Sequence, residues 1–185
     1  MVSKLFTLLA LPVLALCAPV NQSRATASLQ AGKVSFYNNC PHSVSVQAFP
    51  GPGCSAGAGR TVAAGSTWTD TLKECSGGNT ALKVFKSGET KPMQFEYGLK
   101  DKMLWYDMSF IDCIKGTSDF SRCSGSAWAM RGNDKCHAWK CTGPDCCQNG
   151  YCDPYATAMA QQPTAGCGTS EGYSESQLGV IIELC

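Results

Sequence analysis

From Lys33 onward, apolar and polar residues alternate in short runs. Val44, Val46 and Ala48 are separated by Ser45 and Gln47, the two-residue period of a strand with one buried and one wet face. Runs at 34–37, 67–72, 81–85, 94–97, 104–111 and 178–184 read as further strands. The segments between them carry turn residues, as at 50–53, 57–59 and 76–79. Many short strands at close spacing predict an all-β fold, an antiparallel sandwich. The run from Leu104 says most about chemistry. Leu104, Tyr106, Met108 and Phe110 fall on one face, and Trp105, Asp107, Ser109 and Ile111 on the other.

The first residues follow a different pattern. Lys4 precedes an apolar run over 5–16 that only Thr7 and Pro12 interrupt, too short to span a bilayer but suited to a secretory signal. Small residues Ala15 and Cys17 set a cut after Cys17, giving a signal peptide over 1–17; a cut after Ala18 is the alternative. Residues 18–31 are small and polar without a period, so a flexible segment is expected there. It holds the sequon Asn21-Gln22-Ser23, which makes Asn21 the glycosylation candidate. A secreted protein without a membrane span is expected, with one domain over 32–185.

Cysteine content sharpens this picture. The 185 residues include 13 Cys, and either cut removes Cys17, leaving an even 12. Behind a signal peptide such a set reads as a disulfide framework. Zinc ligation by Cys136, Cys141, Cys146, Cys147 and Cys152 is the competing reading. Eight Cys fall in 113–167, a stretch poor in β-branched runs, which predicts a loop-rich lobe held by disulfides. Within it, a helix is expected to start at Asp153 with Pro154 in its first turn, continue over 155–162 and stop at Pro163. Four residues between Cys147 and Cys152, Gly150 among them, allow a tight bridged turn, which leaves Cys146 to reach Cys136 or Cys141.

Charge excludes one class of partner. Fifteen Lys and Arg against 14 Asp and Glu leave no basic excess for a phosphate backbone, so nucleic acid is not expected. No hydrolase triad, metalloprotease helix or phosphate-cradling loop is present, and no cofactor or resident metal is expected. His42 and His137 read as ordinary surface or packed residues. The carboxylates are more suggestive. A hairpin through the polar turn 98–102, with a four-residue loop, would set Glu96 opposite Trp105 and diagonal to Asp107, with Asp112 just past the strand. Carboxylates converging beside aromatic rings can bind sugar or act as acid and base on a glycoside. A solvated face bearing ordinary acids is the alternative.

Phe95-Glu96-Tyr97 and the run Trp105-Tyr106-Asp107-Met108-Ser109-Phe110-Ile111-Asp112 resemble the FEY and WYDxSxID pattern of small fungal thaumatin-like proteins, among them the yeast-phase-specific and conidial antigenic groups. Val34 to Cys40, the 65–68 segment and the Leu184-Cys185 terminus fit as well. The resemblance implies a thaumatin-like β-sandwich with a disulfide-rich lobe, an acidic cleft between them, and a Cys40–Cys185 bridge. It matches Glu96, Asp107 and Asp112 to cleft carboxylates, with Lys86 where an Arg is expected and Trp105 beside them as further ligand contacts. Cys113 stands where a Gly is usual. Segment 146–152 also resembles the core of hevein-type chitin-binding domains, one residue short. The expectation is a monomer that binds cell-wall polysaccharide (β-glucan) or a host cell-surface partner. An endo-β-1,3-glucanase with Glu96 as acid and Asp107 or Asp112 as nucleophile or base is the alternative, as is an antigenic wall protein without a ligand.

Overall fold

A computed structural model describes residues 27–116, 118–125, 127–142, 146–153 and 163–185. The expected signal peptide, Asn21 and residues 154–162 of the helix expected from Asp153 lie outside the described residues. The strands are β1 (Lys33–Asn38), β2 (Val44–Phe49), β3 (Arg60–Val62), β4 (Thr67–Thr71), β5 (Thr80–Phe85), β6 (Met93–Lys100), β7 (Met103–Ser109), β8 (Trp128–Arg131), β9 (Ala138–Cys141), β10 (Ala165–Cys167) and β11 (Val180–Leu184). They form a five-stranded sheet ordered β4-β1-β11-β8-β9 and a six-stranded sheet ordered β10-β7-β6-β5-β2-β3. Every pairing is antiparallel except β1 with β11, which run parallel from Val34↔Val180 to Asn38↔Leu184.

The two-residue period accounts for this packing. On β2 and β5 every second side chain is buried, so Val44, Val46, Leu82 and Val84 face inward. Across the sandwich Phe36 packs edge-on to Phe95 at 6.1 Å, and Phe95 edge-on to Trp128 at 6.2 Å. The Cys-rich stretch is more than loops. It supplies β8 and β9 to the five-stranded sheet and β10 to the six-stranded one.

Six disulfides tie the described residues together. Cys40–Cys185 joins the ends of the parallel β1 and β11, and Cys54–Cys75 links the loops after β2 and β4. Cys113–Cys123, Cys136–Cys167, Cys141–Cys146 and Cys147–Cys152 hold the lobe. Cys146 therefore takes Cys141 as its partner. All five Cys weighed for zinc are half-cystines, which leaves none of them as a thiolate. A framework of six bridges is consistent with an oxidising, extracellular compartment. Among the described residues no helix is long and apolar enough to cross a membrane.

Candidate functional site

The β6–β7 hairpin builds the site. Its loop is only Asp101-Lys102, both with positive φ (54° and 63°), a two-residue turn whose twist suits the flanking strands. Residues 98–100 therefore pair within the ladder, and the four-residue loop expected from sequence does not form. Glu96 lies directly opposite Asp107, and Gly98, not Glu96, lies opposite Trp105. The register differs from the expected one by two residues, which preserves the face, so Glu96, Asp107 and Trp105 still share the outward side.

Neighbouring strands extend this side. Ala81 of β5 lies beside Glu96, and Phe49 of β2 beside Ala81, giving the row Phe49–Ala81–Glu96–Asp107. The next row holds Gln47, Lys83, Gln94 and Ser109. In the row on the other side, Trp105 stands between Gly98 and Gly166. A Cβ on Gly166 would meet Trp105 Cζ3 at 3.0 Å, and one on Gly98 would meet Asn79 Oδ1 at 2.5 Å. Glycine on both flanks leaves the indole free to lie over the sheet, 37% exposed.

Asp107 is only 5% exposed, although it sits on the outward face. The lobe roofs it. Tyr151 pairs backbone groups with Met108 and Phe110, and its hydroxyl lies 2.9 Å from Thr164 Oγ1, which donates to Asp107 Oδ2 at 3.4 Å. Burial raises the Asp107 carboxyl first, and the charge and hydrogen bonding of Glu96 raise it further; the Thr164 hydroxyl opposes them weakly, and the result is about 8. Asp107 Oδ1 is buried without a partner between ionised carboxylates. A proton on the Asp107 carboxyl gives it a donor toward Glu96, and burial favours that protonated form.

The remaining expected residues are spread around this pair. Asp112 lies past the end of β7 and pairs with Lys83 at 3.5 Å. Lys83 Nζ also sits 5.1 Å from the Phe49 ring centroid. Lys86, just beyond β5, donates to the Ser121 carbonyl at 2.6 Å. On this face it is Lys83, not Lys86, that pairs with an expected site carboxylate, Asp112. Thr164 and Tyr151 carried no sequence signal, because only the lobe's packing brings them over Asp107. His137 packs edge-on to Trp139 at 4.1 Å, and the hevein-like segment is committed to Cys147–Cys152 and to the roof over Asp107. A separate recess of about 290 Å³ lies on the five-stranded sheet, bordered by Tyr37, Ala129, Lys140 and Glu183, away from these groups.

The family described as Bys1, Blastomyces yeast-phase-specific protein, matches residues 22–171. No curated protein matches the sequence. Among solved structures, the protein elicitor MoHrip2 from Magnaporthe oryzae superposes with a TM-score of 0.60 at 22% identity, over 84% of this chain and 99% of that one. The thaumatin-like xylanase inhibitor TLXI superposes with a TM-score of 0.51 at 13% identity, over 82% and 98%. These likenesses establish a thaumatin-like fold.

Proposed function

The chain belongs to the Blastomyces yeast-phase-specific protein family, and from that premise we propose that it binds an uncharged cell-wall polysaccharide of the β-glucan class without cleaving it. The observation that carries this reading is an exposed indole laid over glycine one row from a carboxyl pair. A pyranose offers an apolar face to an aromatic ring and hydroxyls to hydrogen-bonding groups at its rim. Glu96, half-buried beside the covered Asp107, offers carboxyl oxygens that can accept from such hydroxyls. The face carries little net charge, since Lys83 offsets Asp112, which suits a neutral ligand.

Hydrolysis is disfavoured by the same geometry. A glycosidase needs carboxyls about 5–5.5 Å apart for retention, or wider still for inversion, set on opposite sides of the scissile bond. Glu96 and Asp107 instead stand side by side on one face of the sheet, directly opposite in the ladder, and Asp107 lies covered under Thr164. Titration calorimetry with laminarin, paired with a reducing-sugar assay, tests both halves. Binding without new reducing ends is expected, and Trp105→Ala should weaken binding at least about tenfold while the circular dichroism spectrum stays native. Release of reducing sugar would restore the glucanase reading. Absence of binding would leave the host-partner or ligand-free wall-protein reading.

A further inference from the structure

Among the described residues, the large apolar side chains that stand exposed are Phe49 (40%) and Trp105 (37%). Both lie on the outward face of the six-stranded sheet: Phe49 at one end of the carboxyl row, and Trp105 in the adjacent row, two residues along β7 from Asp107 at its other end. Isolated exposed apolar residues are ordinary on protein surfaces. Two that flank one polar row on one sheet are a different matter. Between Phe49 and Glu96 the row drops to the methyl group of Ala81, a shallow floor with an aromatic wall. Lys83 holds that wall, its ammonium between the Phe49 ring and Asp112.

We infer that Phe49 is a second, remote aromatic subsite, and that a glycan lies across the strands from Trp105 over Glu96 and Ala81 to Phe49. This rests on the glucan-binding reading and adds a direction and a minimum length to it. From β2 to β7 there are three strand spacings, and Trp105 stands two residues along β7 from the Phe49 row; together these separate the two backbone positions by about 16 Å. A pyranose unit advances a glycan by about one strand spacing, so reaching both rings takes about four units. Shorter oligomers reach one ring only. Once one ring is engaged, the second contact is intramolecular and adds affinity steeply.

Calorimetry with β-1,3-linked glucose oligomers of two to eight units tests this on the native protein, Phe49→Ala and Phe49→Tyr. Native affinity should climb steeply up to about four or five units and then level. Phe49→Ala should bind the hexamer about tenfold more weakly and the dimer unchanged, and Phe49→Tyr, which keeps the ring, should bind as the native protein does. Equal hexamer affinity for native and Phe49→Ala, or native affinity independent of length, overturns the second subsite while leaving glucan binding intact. A native protein that binds no oligomer and no laminarin overturns both.

Discussion

Replacing Asp107 with Asn isolates the proton that burial keeps on its carboxyl. The folded protein keeps that carboxyl protonated up to about pH 8, because it is buried and faces Glu96, whereas in the unfolded chain it ionises near pH 4. Its folded value lies above its unfolded one. The stability it contributes is therefore complete below about pH 4 and is lost as pH rises towards 8. Within that window the loss approaches about 1.4 kcal/mol per pH unit, or about 2–3 kcal/mol between pH 5 and 7. For a chain of this size that corresponds to about 5–10 °C in Tm. Asn keeps the shape and cannot ionise, so the Tm difference between Asp107→Asn and native should widen by that amount from pH 5 to 7 in calorimetric scans. Groups that titrate in both proteins cancel in the difference. Glu96→Gln should behave as an intermediate, because burial still raises Asp107 after its charged neighbour is gone. Parallel Tm–pH curves for native and Asp107→Asn would falsify the raised Asp107 carboxyl.

Gly166→Val sets a branched side chain where Trp105 Cζ3 lies 3.0 Å from an ideal Cβ, so it should tilt the indole and weaken laminarin binding about as much as Trp105→Ala, read by calorimetry. Removing Cys40–Cys185 by the paired substitution to Ser frees a loop of separation 145 and should cost about 2–5 kcal/mol, seen as a lower midpoint in denaturant unfolding; an unchanged midpoint would mean that the parallel β1–β11 pairing holds the ends unaided.

Short alternating or apolar runs were sufficient to find β1, β2, β4, β5, β6, β7 and β11. β2 and β5 alternate buried with wetter positions, whereas β1 and β11, inside the five-stranded sheet, are buried almost throughout and show as apolar runs. Alternation also fixed which residues of β7 look inward, and so placed Trp105 and Asp107 on one side. β8, β9 and β10 are only four, four and three residues long, too short for a period to emerge from a Cys-rich background. Tertiary structure decided the rest. Turn geometry at Asp101-Lys102 set Glu96 against Asp107, and a two-residue slip that keeps the face cannot be seen in the apolar pattern. Parallel pairing of β1 with β11 joins segments nearly 150 residues apart, where no local preference acts. The chemistry of Asp107 depends most on the fold: sequence supplies a carboxylate on an outward face, and only the return of Thr164 and Tyr151 from the lobe takes water away from it and lifts its pKa. Burial of a group is a property of what packs over it, and that cover comes from residues remote in the chain.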